Sequence, residues 1–201
     1  MGLRMESQQP LTHFGLPQNQ IAELRPDDQF DIELVHVFDK MKSVRAFIFD
    51  IDGVLTNNDV LVTEQGELLR SMHIRDGQAI KWAIQAGYPV CIITGGRSEG
   101  AKKRLTDLGI EEYYSNVKDK TTAFRSFLER QGLKQLQVCY MGDDLPDLPV
   151  LRSVGLSCSP ADGVPEVKAV ADYISPLEGG RGCVRDIIEK VMKLQNKWPE
   201  Y

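Results

Sequence analysis

From Val44 onward the chain alternates short apolar runs with stretches of helical periodicity. VRAFIF (44–49), PVCIIT (89–94), QVCYM (137–141) and GLSCS (155–159) are near-continuous apolar segments. That is the pattern of parallel strands buried on both faces. YY (113–114) and DYIS (172–175) predict two shorter strands. Between them, residues 77–86 put Ala79, Ile80, Ala83 and Ile84 on one helical face, with Asp76 as N-cap and Gly87 as stop. Further helices are expected from Ser98 to Leu108, over 119–131, over 146–153 and over 183–196, with a helical turn at 164–170. DVLVT, the turn EQGE and LLRSMHI predict a β-hairpin over 58–74 that turns at Gly66.

Strands alternating with helices imply βαβ units. The expected fold is α/β: a Rossmann-like, mostly parallel sheet with helices on both faces and the hairpin as a small insertion. Residues 1–20 have little periodicity and read as a flexible leader, and 31–42 predict a short amphipathic helix. Residues 1–43 therefore read as an N-terminal extension and 44–201 as one domain.

Composition narrows the function classes. The chain has 201 residues, 42% hydrophobic and 26% charged, with a formal net charge of −5. No dense Lys/Arg run suggests a nucleic-acid surface. No apolar stretch is long enough to cross a bilayer, and no secretory leader is expected. Cys91, Cys139, Cys158 and Cys183 form no CxxC pair, so reduced thiols and a cytoplasmic protein are expected. His13, His36 and His73 have no metal-like spacing.

The unusual polar residues gather just past the predicted strands, where sheets of this kind bind ligands. Asp50 and Asp52 follow the first strand. Thr94, Gly95, Gly96 and Arg97 follow PVCIIT. Lys120 opens a helix. Gly142, Asp143, Asp144 and Asp147 follow QVCYM. Two carboxylates two residues apart in extended chain lean to one side and repel. With Asp143 added, an oxygen-only site for Mg²⁺ makes sense of the cluster. Gly53 is expected to turn the chain away and leave room for a phosphoryl group.

DIDGVLT, a Thr at a strand end, a Lys and GDDLPD, in that order, resemble the haloacid dehalogenase-like superfamily of phosphohydrolases. The resemblance spans residues 50–147 and implies roles. Asp50 is the nucleophile that forms an aspartyl-phosphate. Asp52 is the general acid and then the base, with its backbone carbonyl on Mg²⁺. Thr94 donates to a phosphoryl oxygen, and Lys120 sets a point charge against Asp50 and the phosphoryl group. Asp50, Asp52 and Asp143 form the metal site, with Asp144 or Asp147 behind it.

Superfamily members often carry a cap domain after the first or second motif. The intervals here are too short for one, so no cap domain is expected. The hairpin, RDGQAI, TGGRSE and GGRGCVRDII look like the capless sugar-acid phosphatases. That likeness implies a phosphorylated sugar acid as substrate, specifically 3-deoxy-D-manno-octulosonate 8-phosphate, in lipopolysaccharide precursor synthesis. It also implies a homotetramer joined through the hairpins, with the glycine-rich tail of one subunit reaching a neighbour's active site. Arg75, Arg97 and Arg181 become candidates for the carboxylate or phosphate, with Gly95, Gly96 and Gly180 in the same substrate-binding set, and Gly179, Gly180 and Gly182 would let the tail backbone approach closely.

Asn57 and Asn58 stand where the family commonly has Asp-Gly, which should alter the hairpin entry and leave the chemistry alone. A nine-carbon nonulosonate 9-phosphate phosphatase is the nearest rival, but Gly96–Arg97 favours the octulosonate. An inactive tetramer-forming module is opposed by intact Asp50, Asp52, Lys120 and Asp143. A phosphoacceptor signalling domain is opposed by the DxD ending the first strand.

Overall fold

The computed structural model describes residues 37–200. The leader, and the start of the helix expected over 31–42, lie outside the described residues. The elements run α1 (Val37–Ser43), β1 (Ala46–Phe49), β2 (Leu61–Val62), β3 (Leu68–Leu69), α2 (Ile74–Gln85), β4 (Val90–Ile93), α3 (Glu99–Asp107), β5 (Glu112–Tyr114), α4 (Lys120–Gln131), β6 (Val138–Met141), α5 (Leu148–Leu151), β7 (Leu156–Ser159), α6 (Pro165–Lys168), β8 (Tyr173–Ile174) and α7 (Cys183–Leu194). Six strands form one parallel sheet in the order β5-β4-β1-β6-β7-β8.

The apolar runs are continuous because each strand feeds two cores. Phe47, Phe49, Ile92 and Met141 pack with Met41, Ile80, Leu105 and Ile187, so α1, α2, α3 and α7 cover one face. The alternate residues Ala46, Ile48, Cys91, Ile93 and Tyr140 pack with Phe124, Phe127, Val150 and Val167, so α4, α5 and α6 cover the other. In α7, residues Val184, Ile187, Ile188, Val191 and Met192 are buried. Each contributes roughly 1.5–3 kcal/mol of burial, so this helix is a structural part of the domain. All four cysteines are buried and unpaired, three in strands and Cys183 in α7.

Three local expectations change. Helix α2 starts at Ile74, with His73 at the cap position. Asp76 is instead buried within the first turn, and its Oδ1 accepts the Arg185 N–H at 2.7 Å. It therefore caps α7 rather than its own helix. The expected helix over 146–153 is a tight turn at Leu145–Asp147 followed by α5. The hairpin is antiparallel, with a bridge at Thr56 and Met72, but its strands are only two residues each. Leu61, Val62, Leu68 and Leu69 are all exposed, so the apolar side chains of the two short strands are left facing outward. Among the described residues, the segment between β1 and α2 holds only this hairpin and the turn before it, and that between β4 and β5 only α3.

Candidate active site

The strand order reverses at β1, which has β4 on one side and β6 on the other. The crevice at their carboxyl ends is where such sheets bind ligands. Asp50 opens a wide turn closed by the Thr56 N–H on the Ile51 carbonyl at 3.0 Å. Gly53 has φ +84°, and a Cβ there would stand 2.0 Å from Asp143 Oδ2. The room that Gly53 leaves is thus filled by the Asp143 carboxylate, just past β6, not kept for a phosphoryl group. Gly142 does the same for Asp147, whose Cγ would be 2.3 Å from an added Cβ.

Asp50 Oδ1 accepts the Ile51 N–H at 2.7 Å, and Oδ2 pairs with Lys120 Nζ at 2.9 Å. Lys120, the first residue of α4, also reaches Asp147 Oδ1 at 2.6 Å. Asp147 is fully buried and in addition accepts the Tyr140 hydroxyl and the Asp143 N–H. Asp144 caps the Leu145 N–H and is exposed, so Asp147 is the inner member of that pair. Thr94 Oγ1 accepts the Gly96 N–H at 3.2 Å, which leaves its own O–H to donate elsewhere. Asp50, Asp52, Thr94, Gly95, Gly96, Lys120 and Asp143 all line one pocket of about 210 Å³.

The charge balance inside this pocket is poor. Asp50, Asp143 and Asp147 offer oxygens all within 4.8 Å of one another, all buried, against a single lysine among the described residues. Burial and the neighbouring Asp147 push Asp50 up to about 6, despite Lys120. Burial pushes Asp143 up to about 7, with Asp147 and Asp50 adding to it and Asn58 opposing. Burial works against the Lys120 charge, but Asp50 and Asp147 outweigh it and raise its pKa. A divalent cation fits this donor set: the ligands are all carboxylate oxygens, and one more positive centre would resolve the repulsion. Asp50 and Asp143 would hold it, with Asp147 close behind.

Carboxyls raised in the folded state bind more protons folded than unfolded between about pH 4 and 7. Metal-free stability is therefore highest near the unfolded carboxyl pKa and falls as pH rises to about 7. Each tenfold in proton affinity is worth ~1.4 kcal/mol, so the loss should reach a few kcal/mol. Denaturant melts of metal-free protein at about pH 5 and pH 8, with and without Mg²⁺, check this. Equal stability at the two pH values would refute it.

The profile of the haloacid dehalogenase-like hydrolases matches residues 60–155. The 3-deoxy-D-manno-octulosonate 8-phosphate phosphatase KdsC of Salmonella typhi is 37% identical over 165 residues, covering 82% of this chain and 88% of the relative. This chain belongs to the haloacid dehalogenase-like hydrolases. Two solved structures in the family are similar throughout the domain. The Yersinia pestis 3-deoxy-D-manno-octulosonate 8-phosphate phosphatase is 36% identical at a TM-score of 0.79, covering 81% of this chain and 88% of that one. The Moraxella catarrhalis enzyme, solved in complex with a magnesium ion, a phosphate ion and KDO, is 32% identical at a TM-score of 0.78. That likeness covers 81% of this chain and 94% of the other.

Not every predicted residue joins this hydrolase's pocket. Asp52 lines it, but its carboxylate turns to Arg70, with Nε to Oδ1 at 2.6 Å and Nη2 to Oδ2 at 3.1 Å. It stays outside the trio of close carboxylates. Arg97 is exposed and pairs with Glu99. Arg75 and Arg181 are exposed and do not line the pocket. GGRG is not a free tail. The Gly180 N–H bonds the Val54 carbonyl at 2.9 Å, and a Cβ on Gly179 would stand 2.0 Å from the Gly53 carbonyl oxygen. The loop props the turn that Asp50 opens, and Gly182 at φ +115° passes it into α7. Asn58 corrects a second expectation. Its Nδ2 donates to Asp143 Oδ2 at 3.2 Å, so the second residue after the motif reaches a carboxylate of the pocket as well as the hairpin entry. Arg70 was not anticipated. An arginine in an otherwise apolar hairpin strand was its one sequence signal.

Proposed function

We propose that the protein is a Mg²⁺-dependent phosphomonoesterase that hydrolyses 3-deoxy-D-manno-octulosonate 8-phosphate to the free sugar acid and phosphate, a step of lipopolysaccharide precursor synthesis. The observation that carries this reading is the buried Asp50–Lys120–Asp143 arrangement at the β1 switch point. It occurs in a chain 37% identical to an enzyme of that name. Asp50 attacks phosphorus and becomes the aspartyl-phosphate, splitting one displacement into two. Asp52 gives a proton to the departing sugar oxygen and takes one from the hydrolytic water. The Thr94 hydroxyl and the Lys120 ammonium bind the phosphoryl oxygens. Asp50, Asp143 and the Asp52 carbonyl would hold Mg²⁺, which when bound would supply positive charge against the transferring group.

Arg75, Arg97 and Arg181, with Gly95, Gly96 and Gly180, make up the proposed substrate-binding set. Arg97→Ala should raise KM for the sugar acid phosphate, and an unchanged KM would remove it from the set. The decisive experiment for the function is phosphate release from a panel of eight- and nine-carbon keto acid phosphates with Mg²⁺. Preference for a nine-carbon acid would replace the octulosonate reading, and no turnover of either would overturn it.

The assembly we propose is a homotetramer in which four hairpins cover one another. Leu61 and Val62 are 68% and 62% exposed, and Val60, Leu68 and Leu69 extend the patch. Such a patch calls for a partner. Leu61→Asp with Val62→Lys should give monomers by light scattering, whereas an intact tetramer would exclude the hairpin as the joint. Among the described residues no helix is long and apolar enough to cross a membrane. Four buried free thiols suit a cytoplasmic protein, which fractionation outside the cytoplasm would contradict.

A further inference from the structure

Arg70 carries an inference beyond the residues assigned so far. It stands directly after β3, between hairpin residues that are exposed, yet only 9% of its side chain is accessible. Its fork closes on both oxygens of Asp52, and Nη1 rests on the Leu68 carbonyl at 3.3 Å. The pair lies flat against Gly96, where a Cβ would stand 3.1 Å from Asp52 Oδ2 and 3.8 Å from Arg70 Nη2. Asp52 lines the phosphoryl pocket. Arg70 lines a second cavity of about 750 Å³, between the hairpin and the start of α3. Arg97 and Arg104 also border that cavity. The Asp52–Arg70 pair is therefore the wall between the two.

An acid–base group must face the oxygen it serves, and here both carboxylate oxygens are held by one guanidinium. The second cavity has the volume of a small-molecule site, and it is bordered by Arg70, whose fork Asp52 now occupies and whose geometry suits a carboxylate. We propose that Arg70 is a specificity residue that exchanges carboxylates. It holds Asp52 turned aside until the carboxylate of the sugar acid enters the larger cavity and takes the fork, which frees Asp52 to turn to the leaving oxygen. Exchange of one carboxylate for another on the same guanidinium keeps the charge-assisted bonds. A phosphate ester without a carboxylate must break them with no replacement. Selection then acts on turnover as well as on binding.

This inference rests on the sugar-acid reading, and it holds for an eight- or a nine-carbon acid alike. The test compares wild type, Arg70→Gln and Arg70→Lys on 3-deoxy-D-manno-octulosonate 8-phosphate and on an aryl phosphate that has no carboxylate. Glutamine should lower kcat/KM for the sugar acid phosphate by roughly 10- to 100-fold, the worth of hydrogen bonds to a charged group. Turnover of the aryl phosphate should be retained or raised. Lysine, with its charge but no fork, should fall between and serves as the readout if the glutamine variant melts early. Parallel losses on both substrates, or no change on either, would overturn the proposal. A wild-type enzyme that shows no preference for the sugar acid phosphate would overturn the functional reading itself, a separate result.

Discussion

Asp50→Asn should abolish Mg²⁺-dependent phosphate release, with a loss of at least about 10,000-fold. Removing a nucleophile costs on that scale, because the remaining groups can bind but have no bond to form. The amide keeps the shape of the side chain, so the loss cannot be attributed to a cavity. The same change should make the metal-free protein more stable above about pH 7. Asp50 is buried beside Asp147 and its carboxyl is pushed up to about 6, so the folded state resists its charge. A neutral amide removes that resistance and leaves Lys120 to Asp147 alone, at 2.6 Å. Opposite signs in activity and stability are expected where a fold maintains a strained site for function. Single-turnover phosphate release and denaturant melts, run side by side, check both. Retained turnover would sink the aspartyl-phosphate mechanism, and a destabilised metal-free variant would mean that Asp50 is held comfortably after all.

The positions of these groups were legible in the sequence for a physical reason. Continuous apolar runs mark strands covered on both sides, and polar residues at their ends have no other place in such a sheet. Asp50, Thr94 and Asp143 could be read that way because strand position fixes them. What could not be read is where side chains turn. Asp52 follows the same DxD spacing as Asp50, yet it leaves the carboxylate cluster for an arginine 18 residues away on the hairpin. Asp76 looks like an N-cap in a local window but serves a helix more than a hundred residues on. Asn58 reaches Asp143 across 85 residues of chain. All three are long-range pairings of polar atoms, which periodicity does not encode. The glycines of GGRG do not by themselves say which backbone they approach. Their real constraint, close approach to the Gly53 and Val54 carbonyls, exists only after the sheet has brought α7 beside the turn that Asp50 opens.

Lys120→Met tests whether that lysine is structural or catalytic, and the expected answer is both. Among the described residues it is the one cation inside a cluster of three buried carboxylates, at 2.9 Å from Asp50 and 2.6 Å from Asp147. Methionine matches the length of the stem and removes the charge. Breaking a buried pair from one side typically costs about 3–5 kcal/mol, and here two carboxylates lose their partner. The deficit should be largest above about pH 7 and shrink towards about pH 5, because the freed carboxyls can then be neutralised by protons. Mg²⁺ should recover part of the stability at the higher pH, since a cation held by Asp50 and Asp143 offsets the same repulsion. Activity should not follow. In the proposed mechanism Lys120 also binds the phosphoryl oxygens, where one lost charge of this kind costs about 100- to 1,000-fold in turnover. Arginine at 120 should rescue neither property fully, because a planar fork cannot bridge Asp50 and Asp147 as a point charge does. If Mg²⁺ restored turnover along with stability, Lys120 would be a structural counter-charge only, and its place in the reaction would have to be withdrawn.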